Sequence, residues 1–211
     1  MTREELIKKV ALKMDEISSS DDVIVNVTAS DNNPLYTQID GLLNESINDV
    51  LLKAPIYRLQ SNITTETKQV TVATGSTRKP AVLTVPSGFL RFVSISSTLL
   101  DRPITDLAVE GDNVDKMQHN VFLMAKSAKP VGVISKDGKS ISCYSFDSGA
   151  NPSITLNYIK SYTGSGMTSN ISLDDYVINI VSWVCAGKVF GAQGDINKNK
   201  ICNDNAIALM V

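Results

Sequence analysis

Residues Ser172 to Gly194, SLDDYVINIVSWVCAGKVFGAQG, form the most apolar long segment of the chain, and the rest of the fold has to cover them. Val177, Ile180, Val181, Val184, Ala186 and Val189 leave little polar face, so the segment reads as one buried helix with neighbours on more than one side. Ser172 and Asp175 form a capping-box-like start, and Asp174 and Asp175 suit the positive first turn. Trp183 and Cys185 are expected in the core, and Gly191 and Gly194 are natural stops. A membrane span needs about 20 apolar residues. The uncharged run from Tyr176 to Gly187 is too short for one.

Two further helices are legible. Thr2 and Glu5 make a T-x-x-E capping box, behind which Leu6, Ile7, Val10, Met14 and Ile17 recur at helical spacing over residues 3–17. In the second helix Asn33 can cap, Pro34 suits the first position and Pro55 forces a stop. Leu35, Ile39, Leu42, Leu43, Ile47, Val50 and Leu51 form its apolar stripe, with Gly41 read as a place of close packing. Between the two helices, Ser18 to Asp22 is a break and Val23 to Thr28 a short strand or linker.

From Ile56 the period changes to two. Residues 69–73, 81–85 and 89–96 are strand-like, punctuated by Thr74-Gly75, Pro80 and Pro86-Ser87-Gly88. Ile104 to Leu107 could open one short helix and Asp112 to Gln118 another. Asp137-Gly138 suits a two-residue type I′ hairpin turn that sets Ile134 opposite Ile141. Ile154, Leu156 and Tyr158 alternate as a last strand, and Thr163 to Asn170 is a loop back to the apolar helix. The order implies an α+β fold: a helical bundle from the N- and C-terminal segments (1–55 and 170–211) with an inserted antiparallel β domain (56–169).

After Gly194 the tail is rich in charge and Asn, and reads as a linker able to cross water. It ends in Ile207, Leu209, Met210 and Val211, which need a partner and are the candidate docking residues.

Little here points to catalysis. His119 is the only histidine and sits in a polar stretch, so no triad or metal site can be built on two of them. No Walker, GxGxxG, HExxH or EF-hand pattern occurs, and Gly164-Ser165-Gly166 lacks the Lys of a phosphate loop. The pairs Asp21-Asp22, Asp112/Asp115 and Asp174-Asp175 suit turns and caps. Arg78-Lys79 with Lys68 is a small basic patch, read first as solvated. Cys143, Cys185 and Cys202 have neither disulfide-framework nor zinc spacing. A net charge of −2 on 211 residues gives no electrostatic reason for nucleic acid or an anionic membrane as main partner. The charged start MTREELIKK is no signal peptide, which implies a protein made in a cytoplasm. The expectation is a protein that is not an enzyme and carries no cofactor or metal.

Three stretches, in order, carry a resemblance. They are LLNESINDVLLKAPIYRL, ending its helix at Ala54-Pro55; VPSGFLRFVSISSTLLDRPITDL, with its Arg102-Pro103 turn; and SITLNYIKSY followed by a loop and DDYVINIVSWVCAGKVF. Together they span roughly Leu35 to Gly191, about three quarters of the chain, and the chain resembles the head-to-tail connector (adaptor or ring) proteins of tailed bacteriophages, of crAss-like or podovirus type. It departs from the simplest, all-helical adaptors by its β insertion. The resemblance implies a structural virion protein at the capsid vertex, made in the host cytoplasm. It implies copies arranged in a ring of about twelve, portal and adjacent tail or ring proteins as partners, genomic DNA passing through without sequence-specific binding, and no membrane. The competing class is a non-enzymatic ligand- or carbohydrate-binding β module, with Tyr144, Tyr158 and Tyr162 as a platform.

Overall fold

Among the described residues, five α-helices and seven strands make a mixed α+β protein with largely antiparallel sheets. The computed structural model describes residues 1–17, 34–75, 79–120 and 122–210. The readings made on Asn33, on Val23 to Thr28, on Asp21-Asp22, on Arg78 and on Val211 lie outside them. The chain divides into two compact units, Met1–Asn62 with Ser161–Val211, and Ile63–Lys160.

In the first unit, α1 (Arg3–Ile17) starts on the expected capping box: Thr2 N donates to Glu5 Oε2 at 2.7 Å and Glu5 N to Thr2 Oγ1 at 3.2 Å. The Thr2 backbone N–H first, and the Thr2 hydroxyl after it, hold the Glu5 carboxyl below its ordinary pKa. The helix α2 (Pro34–Lys53) begins at its proline and buries Ile39, Leu43, Ile47, Val50 and Leu51. Gly41 is exposed and a Cβ there would meet nothing, so the close-packing reading of that glycine does not hold.

The apolar segment is the helix α4 (Asp175–Ala192), packed against α1, α2 and α5 (Ile196–Met210). Its interior is sealed: Val177, Ile180, Val181, Cys185, Ala186 and Val189 are fully buried, and the buried Ser182 hydroxyl donates to the Ile178 carbonyl at 2.7 Å. Three expectations are corrected here. No side-chain cap closes its start; Asp174 instead accepts from Ser61 Oγ at 2.9 Å. Trp183 is only half-buried, with the Lys13 ammonium 4.7 Å from its ring centre. Gly191 lies inside the helix, and the turn out of it falls at Gly194, whose φ of 82° suits glycine.

The largest correction is the tail. Residues 196–210 are a helix, not a water-crossing linker. The approach is close because α4 has glycines where α5 comes near: a Cβ on Gly187 would stand 3.1 Å from Cys202 Cβ, and one on Gly191 2.9 Å from Asn199 Nδ2. Cys202 and Ala206 are thereby buried although their neighbours are polar.

The β-rich unit is shorter at both ends than the expected 56–169. Residues 56–62 form two 3₁₀ turns with Leu59 buried inside the helical unit, and Asn62 Nδ2 donates to the Ser172 carbonyl at 2.8 Å. The loop after residue 160 is also bound there. Tyr162 N donates to Asn48 Oδ1 at 2.8 Å, and Arg3 N to the Ser169 carbonyl at 2.9 Å.

The unit's seven strands are β1 (Ile63–Gln69), β2 (Ala81–Thr84), β3 (Phe89–Ser97), β4 (Leu107–Val109), β5 (Val131–Ile134), β6 (Ser140–Tyr144) and β7 (Ser153–Lys160). They form two sheets, β1-β7-β3 and β2-β6-β5-β4. The pairs are antiparallel except that the edge strand β4 runs parallel to β5. One buried cluster takes Ile95, Ile154, Leu156 and Tyr158 from the first sheet and Leu83, Ile141 and Cys143 from the second.

Strand β1, ITTETKQ, lies before the expected 69–73. Its polar residues pair across the sheet, Thr65 Oγ1 with Asn157 Oδ1 at 2.8 Å and Thr67 with Thr155 at 3.0 Å. The helix expected at 104–107 is extended backbone leading into β4, with Ile104 bridged to Ile95. The helix α3 (Asn113–Gln118) is capped by Asp112, whose side chain accepts from Asp115 N at 2.8 Å. The hairpin has the expected register, Ile134 opposite Ile141. Its turn is different: Gly138 has φ 67° and donates to the Ser135 carbonyl, while Asp137 keeps a negative φ and instead accepts from Ser135 Oγ at 2.6 Å and Lys139 N at 3.0 Å. A type I′ turn needs two positive φ values.

Candidate docking groove

In the helical unit α2, α4 and α5 leave a groove of about 540 Å³. Val184, Ala206, Ile207 and Met210 supply its apolar lining, and Asp49, Lys53, Lys188, Asn199 and Asn203 its polar part. Each enters for a local reason. Small residues on α4 bring α5 near, and the two asparagines one turn apart bond to each other, Asn203 Nδ2 to Asn199 Oδ1, at 2.7 Å. Lys188 crosses from α4 to α2 and donates to both Glu45 Oε1 and Asp49 Oδ2 at 2.6 Å. Partial burial pulls the Lys188 ammonium down, but its bonds to Asp49 and Glu45 outweigh that and hold its pKa above the ordinary value.

Of the candidate docking residues, Ile207 is 59% exposed and lines the groove. Met210 is half-buried and lines it too; Leu209 is half-buried, its carbonyl accepting from the Tyr176 hydroxyl. Arg58 stacks over the same Tyr176 ring, 4.3 Å from its centre. Leu209 is therefore held by its own unit, while Ile207 leaves an apolar side chain in solvent, and Val211 lies outside the described residues.

The proposed tyrosine platform does not exist as a platform. Tyr158 is buried beneath Phe89, ring centres 5.5 Å apart, and its hydroxyl donates to Glu66 at 2.6 Å. Burial and that carboxylate push its pKa up to about 12. Tyr144 is half-buried, with its pKa raised by burial first and then by Asp115. Tyr162 belongs to the other unit. His119 is exposed, with the centres of its ring and the Tyr144 ring 6.4 Å apart in an edge-on arrangement. The thiols of Cys143, Cys185 and Cys202 are buried, which pushes Cys143 up to about 12 and the other two to about 11. No group of three His, Cys, Asp or Glu among the described residues could hold a metal. No helix among them is long and apolar enough to cross a membrane.

Two features were not read from the sequence. Ser145 has φ 140° and a buried Oγ without a partner, beside a cavity of about 560 Å³ in the β-rich unit. Phe122 is 92% exposed in a turn after α3. Backbone strain at Ser145 leaves no sequence signal. The Phe122-Leu123 pair did offer one, as the middle of the apolar run Val121 to Ala125 set between polar stretches.

Comparison of the chain with models of protein families and with curated proteins found no match.

Proposed function

We propose that this chain is a structural subunit of a tailed-phage head-to-tail connector, one copy in a ring of about twelve that joins the portal to the tail and lines the DNA passage. The observation that carries the reading is the resemblance of three ordered stretches, which fall on the second half of α2 with its Pro55 stop, on β3 with the turn after it, and on β7 and most of α4. A connector works through interfaces, and the groove between α2, α4 and α5, with Ile207 and Met210 in its wall, is a surface suited to one. The test is to mix the purified chain with a purified portal ring from the genome that encodes it and examine the particles by electron microscopy. An added ring on the portal is expected. Portal particles that remain bare at saturating chain would refute the reading.

A second reading, a ligand-binding β module, draws support from the strained Ser145 and its unpartnered hydroxyl at the 560 Å³ cavity. Binding on a glycan array, lost in Ser145→Ala, would favour it over the connector.

A further inference from the structure

We infer that the open edge of strand β1 pairs antiparallel with the same edge of a second copy, Thr67 opposite Thr67, so that Glu66 of each copy faces Lys68 of the other.

The direction of each backbone group follows from the ladder. β1 runs against β7 without a break in register, from Ile63 opposite Ile159 to Gln69 opposite Ser153. Just beyond it, Val70 N donates to the Pro152 carbonyl at 3.1 Å and Val72 N to the Ala150 carbonyl at 2.8 Å. Such bonds fall on every second residue of an antiparallel strand. The even-numbered residues of β1 therefore bond to β7. Thr65, Thr67 and Gln69 turn their N–H and C=O groups to the other side, where β1 is the last strand of its sheet. All three are exposed, and no described residue outside the ladder bonds to those groups.

The chain blunts its other edges. Beside β3, Ile95 and Ile104 exchange N–H···O bonds at 2.8 Å. On β4, Leu107 N donates to Asp106 Oδ1 at 2.9 Å and Val109 N to Asp112 Oδ2 at 3.2 Å. β2 has four residues and lies between Pro80 and Pro86. β1 has seven residues, ITTETKQ, and no proline. Its Thr65 and Thr67 side chains are already tied to Asn157 and Thr155, so little freedom is lost on pairing.

Side chains select the occupant and the register. With Thr67 on Thr67, the hydrogen-bonded pairs are Thr65–Gln69 and Thr67–Thr67, the residues whose backbone groups point outward. Glu66 and Lys68 then oppose each other in the non-hydrogen-bonded pairs, where side chains come closest. Both lie on one face, opposite Leu156 and Ile154 of β7. They are 35% and 46% exposed, and stand 3.6 Å apart within one copy. The smallest slip that keeps outward groups paired is two residues, and it sets Glu66 on Glu66 or Lys68 on Lys68. The same strand, run antiparallel, thus supplies its own complement. The contact uses one surface twice and closes with two copies, unlike the contact of a ring, which joins two different surfaces. It does not rest on the connector reading.

The test is sedimentation velocity of the full chain over a concentration series, with amide exchange followed by NMR. Wild type should pass from monomer to dimer and no further, and exchange at Thr65, Thr67 and Gln69 should slow as the dimer forms. Lys68→Glu sets two like-charge pairs in the seam, so association should weaken about tenfold or more. Thr67→Pro removes an N–H that bonds nothing in the monomer, and should leave the chain folded and monomeric. Glu66→Lys should fail alone, yet its equimolar mixture with Lys68→Glu restores opposite charges at both pairs and should dimerise. Should loss of the Tyr158 hydrogen bond unfold Glu66→Lys, the other two variants still decide. Wild type that stays monomeric at every concentration would overturn the proposal and leave the edge to a strand of another protein. Lys68→Glu and Thr67→Pro that dimerise like wild type, or a folded mixture that stays monomeric, would overturn it too. So would Thr65, Thr67 and Gln69 amides protected already in the monomer, which would mean that the chain covers its own edge.

Discussion

Replacing Arg3 by Met should cost the helical unit more than any other single polar substitution. The guanidinium is 4% exposed and uses all three nitrogens: Nε to Asp40 Oδ1 at 2.5 Å, Nη1 to Asn44 Oδ1 at 2.6 Å and to the Gly164 carbonyl at 3.1 Å, Nη2 to the Asp40 carbonyl at 2.9 Å. It thus ties the start of α1 to the middle of α2 and to the loop before α4. Removing one partner of a buried ion pair costs about 3 to 5 kcal/mol. Asp40 is 36% exposed, so water recovers part of its solvation, and the expected loss falls to about 2 to 3 kcal/mol. For a chain of this size that is about 4 to 12 °C in Tm. Arg3→Lys should recover less than half, because an ammonium cannot serve acceptors on three sides of a planar fork. Thermal unfolding followed by circular dichroism measures both variants. A loss below about 1 kcal/mol for Arg3→Met, or full rescue by Lys, would refute the argument.

Gly187→Leu should force α5 away from α4, since even a Cβ would stand 3.1 Å from Cys202 Cβ and 3.2 Å from Asn203 Oδ1. A loss of about 1 to 3 kcal/mol and faster amide exchange across 196–210 are expected, and unchanged exchange would contradict the packing. Trp183→Ala should cost only about 1 to 2 kcal/mol in urea unfolding, because the ring is half in water and covered by Lys13; a loss above about 3 kcal/mol would mean a closed site. Glu5, Glu66, Asp112 and Asp137 all have lowered pKa values, from the Thr2 backbone N–H, the Tyr158 hydroxyl, the Asp115 backbone N–H and the Ser135 hydroxyl respectively. Their contribution is present above the ordinary carboxylate range and is lost as pH falls through the lowered values. The Tm should therefore drop below about pH 4, and Thr2→Ala, which keeps the backbone N–H and removes only the hydroxyl, should move Glu5 part of the way back toward its ordinary value in a carboxyl NMR titration.

Much of this protein follows from local pattern. The capping box at Thr2 and Glu5, the proline bounds of α2, the burial of Val177, Ile180, Val181 and Val189 and the pairing of Ile134 with Ile141 all follow from spacing within about twenty residues, where periodicity and end chemistry act. The α+β class follows from the order of those patterns. The candidate groove was half legible. Ile207 and Met210 stood out as apolar residues at the end of a polar stretch, but their surroundings did not. Residues 195–205 are too polar to announce a helix, and α5 forms because Gly187 and Gly191, distant in sequence, give it a close surface to bury Cys202 and Ala206 against. Strand β1 exists by the same logic, its threonines partnered by Asn157 and Thr155 some ninety residues away. The half-exposure of Trp183, the strain at Ser145 and the display of Phe122 were likewise decided by tertiary structure. Hydrophobicity marks which residues leave water when they can; only the packed chain decides which of them find room.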